Sequence, residues 1–290
     1  MRLRRGISEG SYAYGQITFS DRLHLHDDRG RLSRMPTVSI LSLKGGVGKT
    51  SVTLGLAGAA TARGLASLVV DLDPQGNATS ILRAHESKTN VSHVLEHPTR
   101  ATLESALTPC DWEIGPGEVD VLSSHPSVIR FDAWTHPGST FRPKLAKALN
   151  QLDGYDLVLI DCPPSLGALT REALAASDYA LIVTTPSFFG AQGVERAVSE
   201  IEEIRKSVNP KLSLAGIVVN RVRSVAEEHQ YRLNELGSIY GKSAILKPFI
   251  PERIAITQAE GYGSPVTEVK TAGGREVSEI FDKYLGVILR

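Results

Sequence analysis

The stretch Lys44-Gly45-Gly46-Val47-Gly48-Lys49-Thr50 holds the residues whose types and spacing could do chemistry most directly. Its glycines let the backbone approach an anion with N–H groups turned inward. An apolar run, Val38 to Leu43, precedes it, and a small-residue helical pattern, Val52 to Arg63, follows. Strand, glycine loop and helix are the context of a phosphate-binding loop, and the helix start adds its positive end. In that context the N–H groups from Gly45 to Thr50 cradle phosphates, Lys49 reaches the β/γ-phosphates and the Thr50 hydroxyl ligates Mg²⁺. Gly45, Gly46, Val47, Gly48, Lys49, Thr50 and Ser51 are therefore the candidate nucleotide-binding residues. The common form of such a loop carries glycine where Leu43 stands, and here a second lysine, Lys44, lies beside it.

The elements that must position this loop read as strand and helix in alternation from Met35 onward, the pattern of a parallel sheet. Strands are expected at 38–43, 67–71, 119–122, 157–161, 179–184, 214–220 and 244–246. Most are short Val/Ile/Leu runs without alternation, as suits strands covered on both faces. Helices are expected at 49–63, 139–151, 167–176, 190–207, 226–240 and 273–288. The expectation is an α/β, P-loop NTPase-like fold: a twisted, mostly parallel sheet with helices on both faces, in one domain from 35 to 290. Residues 1–34, arginine-rich and without apolar periodicity, read as a disordered extension. Three turns follow strands directly: the Lys44 loop, Asp71 to Asn77, and Asp161 to Gly167. Ligand loops gather at the carboxyl ends of parallel strands, so all three should share one edge.

These motifs carry a family resemblance from about Met35 to the end of the chain. KGGVGKT resembles the deviant Walker A motif of the ParA/MinD ATPases. Val69-Val70-Asp71-Leu72-Asp73-Pro74-Gln75-Gly76-Asn77 resembles the DxDPQGN segment of ParA (Soj)-type partition proteins, and Tyr155 to Gly167 resembles their Walker B strand and following switch. The resemblance implies hydrolysis of ATP to ADP and phosphate with Mg²⁺. Lys44 would cross to the nucleotide of a second copy, so that ATP binding drives homodimer formation and hydrolysis releases it. Asp161 would reach the metal through a water. Asp73 would position the attacking water and support the metal from one layer further out. Asn220, after an apolar strand, and Pro251 resemble the family's contacts to the base, with a buried asparagine that satisfies a loop as the competing reading of Asn220.

The family divides by what it positions. ParA-type members bind DNA without sequence preference and work with a ParB-like partner, whereas MinD-type members bind membrane through a C-terminal amphipathic helix. Here the last helix carries an apolar stripe, Val277, Ile280, Phe281, Tyr284, Leu285 and Ile288, against a mostly acidic face. A membrane-surface helix is basic on that face, so packing against the sheet is expected. The segment 204–253 is rich in Lys and Arg, and Arg221, Arg223, Arg232 and Arg253 are the DNA-binding candidates. One departure stands out. Ile250 to Val266 resembles the partition-protein run IPRNVRLSEAPSFGKPV, but Glu252 and Ala255 replace its arginines and Glu260 replaces its proline.

Composition bounds the alternatives. The 290 residues carry 32 Lys and Arg against 32 Asp and Glu, so any nucleic-acid affinity must come from a local patch. Two cysteines, Cys110 and Cys162, form no disulfide framework or metal spacing, which points to the cytoplasm; association with the nucleoid is what the ParA resemblance implies. No apolar run approaches the ~18 residues of a membrane span. His93 and His97, four apart, lack a third ligand at fixed spacing, and with His85, His125 and His136 they read as loop and surface histidines. Trp112 and Trp134 read as packing anchors. The leading expectation is an ATP-driven dimerisation switch that partitions plasmid or chromosome DNA. The first rival positions a protein cargo, such as a microcompartment. A ligase, an iron–sulfur reductase or an adaptor without turnover fits less well, for want of a second substrate motif, of paired cysteines, and of any defect in Lys49, Asp73 and Asp161.

Overall fold

The computed structural model describes residues 35–84, 87–112, 115–132, 141–223 and 225–290. The expected extension at 1–34, and the expectations for His85, Trp134 and His136, lie outside the described residues. Among those described, seven strands form one sheet: β1 (Thr37–Leu41), β2 (Ser67–Asp71), β3 (Leu107–Pro109), β4 (Val119–Leu122), β5 (Leu157–Asp161), β6 (Tyr179–Thr184) and β7 (Ser213–Val219). Their order is β3-β4-β2-β5-β1-β6-β7. Every pair is parallel except β3 with β4.

Successive side chains of a strand point to opposite faces, and both faces here are apolar. Leu68 and Val70 of β2, Val158 and Ile160 of β5 and Ala180 and Ile182 of β6 enter one core. Val69, Leu157, Leu159, Leu181 and Val183 enter the other. The first core is covered by α3 (Val91–Glu96), α4 (Arg100–Ala106), α5 (Lys144–Leu149), α6 (Ala168–Ala176), α7 (Phe188–Ser207) and α8 (Glu227–Tyr240). The second is covered by α1 (Lys49–Ala62), α2 (Asn77–Ile81), α9 (Ile254–Tyr262) and α10 (Ala272–Ile288). This is the α/β, P-loop NTPase-like architecture expected from the motifs.

Several local expectations need correction. Residues 244–246 form no strand; Ile245 makes an isolated parallel bridge to Ile217 beside β7. β3, antiparallel at the sheet edge, has only three residues and no legible period. The helix expected at 139–151 is confined to Lys144–Leu149, after Pro143. α2, α3, α4 and α9 were not legible, because all but α9 have seven residues or fewer, and α9 is apolar on more than one side. His93 turns inward to its own helix: its Nδ1 accepts from the Asn90 N–H at 3.2 Å and closes a capping box on α3. Trp112 is an anchor, its Nε1 donating to the Gly263 carbonyl at 3.0 Å.

The apolar stripe of α10 is buried along its whole length. It packs chiefly on α1 and shares the second core with the sheet residues on that face. Close approach depends on Gly55 of α1, where an added Cβ would stand 2.3 Å from the Phe281 ring. Arg63 at the end of α1 pairs with Asp282 at 2.7 Å and with the Asp282 carbonyl at 2.8 Å. The stripe is therefore consumed by packing. Among the described residues no helix is long and apolar enough to cross a membrane.

Alanine normally favours a helix over glycine by about 1 kcal/mol. At position 55 the steric term should win: Gly55→Ala is expected to destabilise by about 1–3 kcal/mol. Urea unfolding checks this, and adding Phe281→Leu should recover part of the loss.

Candidate functional site

The loop between β1 and α1 runs over the carboxyl end of the sheet. Gly46 and Gly48 have φ of +73° and +95°, a region that glycine alone enters freely. A Cβ at Gly45 or Gly46 would meet nothing within 4 Å, so this end of the loop stands in open space. The first intrahelical bond of α1 runs from the Val52 N–H to the Gly48 carbonyl. The N–H groups of Lys49, Thr50 and Ser51 precede it and are left for an anion. Lys49 is buried at 7% exposure, whereas Lys44 at the other end of the loop is exposed. The two lysines thus face different surroundings: one belongs to the loop's interior and one to the molecular surface.

The three turns expected to share an edge do so. β2 and β5 pair in the register that sets Asp71 opposite Asp161. Asp161 is fully buried and accepts from Thr50 Oγ1 at 2.7 Å and from Thr53 Oγ1 at 3.2 Å. Burial, then the charge of Asp71, pushes its carboxyl up to about 7, while Thr50 and Lys49 pull it back. Asp71 is pushed up to about 6, mainly by burial. Its Oδ2 accepts from the Thr79 N–H and hydroxyl, both at 2.8 Å, and its Oδ1 accepts from the Asp73 N–H at 3.1 Å. Asp71 therefore ties the turn to the start of α2. Asp73 is 7% exposed; its Oδ1 accepts from the Gln75 N–H at 3.0 Å. Its Oδ2 accepts from no other described residue. Ser124 at the end of β4 supports the turn by donating to the Asp73 carbonyl at 2.6 Å.

This donor set fits a nucleoside triphosphate with a hard divalent cation. The open loop and the unpaired N–H groups suit phosphate oxygens. A hydroxyl beside a carboxylate whose charge is suppressed by its surroundings suits an oxygen-ligated cation. Thr50 and Asp161 would hold Mg²⁺, which supplies charge neutralisation at the β/γ oxygens when bound.

The remaining expected site residues lie on the other flank. Asn220 follows β7 and is 3% exposed. Its Nδ2 donates to the Val47 carbonyl at 2.7 Å and its Oδ1 accepts from the Arg221 N–H at 2.8 Å. A Cβ on Gly48 would sit 2.2 Å from Asn220 Nδ2. Here Asn220 clasps the phosphate loop, which is the loop-satisfying reading of a buried asparagine. Pro251 bridges to Val222 beside it. Ser51 donates to Glu260 Oε1 at 2.5 Å, a contact with no sequence signal beyond the unusual residue at 260. Thr53, Thr79 and Ser124 carry no sequence signal either: Thr79 reaches Asp71 through the local turn into α2, whereas the packing of separate elements brings Thr53 to Asp161 and Ser124 to the Asp73 carbonyl.

The four DNA-binding candidates do not form a free basic surface. Arg223 pairs with Glu252 at 2.5 Å and Arg253 with Glu276 at 2.8 Å. Arg232 pairs with Glu228 at 2.7 Å and Glu235 at 3.0 Å, and its guanidinium lies 5.4 Å from the Phe188 ring centre. Arg221 is exposed, has a φ of 57°, and carries no ion pair among the described residues. Disruption of the Asn220 clasp is the clearest test of the loop's support. Asn220→Asp removes the donor and sets a carboxylate against the Val47 carbonyl, and should cost about 1–3 kcal/mol in urea unfolding. ATP affinity, read with a fluorescent analogue, should fall roughly tenfold.

Known proteins share this arrangement. A family model described as an AAA domain matches residues 35–214. The chromosome-partitioning ATPase Soj of Thermus thermophilus is 31% identical over 237 residues, which cover 81% of this chain and 89% of that protein. A solved cobyrinic acid a,c-diamide synthase from Mycobacterium smegmatis, with bound ADP and magnesium, is 26% identical with a TM-score of 0.67, covering 79% of this chain and 93% of that one. Apo McdA of Cyanothece has the same fold, with a TM-score of 0.75 at 21% identity over 87% of this chain and 100% of that one. Together with the intact phosphate loop and the paired aspartates, these likenesses show that the chain belongs to the ParA/MinD family of P-loop ATPases, on its ParA (Soj) side, with ATP and Mg²⁺ as its cofactors.

Proposed function

We propose that residues 35–290 act as one ATP-driven dimerisation switch. As the ATP-bound homodimer it binds nonspecific duplex DNA and, with a ParB-like partner, positions plasmid or chromosome DNA on the nucleoid in the cytoplasm. The observation that carries this reading is the division of the loop's two lysines. Lys49, buried, neutralises the phosphates of its own nucleotide, and Lys44, exposed, is free to reach the nucleotide of a second copy. The apolar surface beside the loop supports an interface there. Phe188 and Phe189, 52% and 67% exposed, open α7. A Cβ on Gly193, one turn further on, would lie 3.7 Å from Leu43.

Within each half of the dimer, Asp73 orients the attacking water with its free carboxylate oxygen, and Thr50 and Asp161 hold Mg²⁺, Asp161 through a water. Asn220 and Pro251 border the base. Turnover is slow until the partner completes the site, because hydrolysis by a phosphate loop depends on positioning more than on covalent chemistry. The carboxylates on Arg223, Arg232 and Arg253 favour a second reading of the same switch, in which the cargo or matrix is a protein surface.

Binding to nonspecific duplex DNA, measured with ATP, with ADP and without nucleotide across a salt series, tests the proposal. Binding should require ATP and fall steeply with salt. Lys44→Ala should abolish it, Asp73→Ala should retain it while losing turnover, and Arg221→Glu should weaken it severalfold. ATP-driven dimers without DNA affinity would overturn the DNA reading in favour of a protein cargo.

A further inference from the structure

Two neighbouring hydroxyls in the first turn of α1 turn to opposite sides. Thr50 Oγ1 donates to Asp161 at 2.7 Å, and Ser51 Oγ donates to Glu260 at 2.5 Å. The phosphate loop is thus flanked by two carboxylates. Lys49 answers the charge of Asp161 in part, and a bound cation would complete that answer. Nothing comparable answers Glu260, with which no Lys or Arg pairs among the described residues. Its surroundings hold it there. Ala255 and Ala259 anchor α9 in the core. The far end of α9 is tied by Arg83 Nη2 donating to the Tyr262 carbonyl at 2.7 Å and by Trp112 donating to Gly263. Arg83 itself follows α2, the helix that Asp71 fastens to the Asp73 turn.

The start of α1 attracts negative charge, because its leading N–H groups have no intrahelical partners. Glu260 is positioned to satisfy part of that attraction when no phosphate is present, and to oppose phosphate when it arrives. We propose that Glu260 is a built-in competing anion of the nucleotide site: it holds the Ser51 hydroxyl in the nucleotide-free loop and thereby sets how weakly the loop retains its ligand. The proposal rests on the loop being a nucleotide site, and it deepens that reading by naming the residue that tunes occupancy. Glu260 is a positioning residue acting through Ser51. The partition-protein run that this segment resembles has proline at the same place, so the device belongs to this chain's own sequence.

Glu260→Gln keeps the shape and the hydrogen bond while removing the charge. Fluorescent ATP and ADP analogues, titrated with Mg²⁺ into the full chain, should bind Glu260→Gln roughly tenfold more tightly than wild type, a gain of about 1.4 kcal/mol. The gain should shrink as salt rises. The melting temperature without nucleotide should fall slightly, because the helix start loses its anion. A purely structural role would lower both affinity and melting temperature, so opposite signs are the signature. Affinity unchanged or weakened in Glu260→Gln, with wild type binding normally, overturns the proposal alone. Failure of wild type itself to bind ATP overturns the reading of the loop and the proposal with it.

Discussion

Two carboxylates stand side by side in the interior because β2 and β5 are parallel neighbours in a register that pairs Asp71 with Asp161. Buried acids with no compensating charge are unfavourable, and both are pushed toward protonation. The surrounding polar groups answer that cost. Thr50 and Thr53 face Asp161, Thr79 and the Asp73 N–H face Asp71, and Lys49 contributes its charge from the loop. The shape of the site follows from this constraint. A cation and a triphosphate are the ligands whose charges complete it.

The rest of the fold holds that cluster still. Two apolar cores clamp the sheet from both faces, so that the ends of β1, β2 and β5 cannot slide relative to one another. A slip of one residue in β2 or β5 would turn its aspartate to the other face of the sheet. α10 covers α1 through the gap at Gly55, which steadies the helix whose first turn forms half of the phosphate loop. Asn220 reaches the loop from β7, so the far side of the sheet also bears on it.

Around this rigid centre, the surface residues are arranged differently from the sequence pattern alone. The arginines near the carboxyl end of β7 form a basic cluster on paper, but tertiary neighbours supply carboxylates to Arg223 and Arg253, and Arg232 pairs with Glu228 and Glu235 of its own helix. Exposed ion pairs of this kind contribute little to stability. They do reduce the field that a polyanion would meet, and among the described residues they leave Arg221 without an ion pair. The same neighbourhood brings Glu260 to Ser51, across 209 positions of chain.

The sequence by itself determined the phosphate loop, the strand-ending aspartates and the alternation of strand and helix. These are local properties: glycines where the backbone must turn through positive φ, a lysine and a threonine at fixed offsets, and apolar runs whose lengths suit buried strands. The parallel sheet and its ligand edge are legible from them, as is the amphipathic helix α10. Tertiary structure alone decided which partners those residues meet. Asn220 clasps Val47, Ser124 and Thr79 brace the aspartate turns, and α10 lies on α1. The short helices α2 to α4 and the edge strand β3 also emerged only there, because segments of so few residues carry too little periodicity and owe their form to packing. The pairing of Arg223 with Glu252 and of Arg253 with Glu276 was the least legible feature, since it depends on distances between separate segments, which the tertiary fold sets and local composition does not.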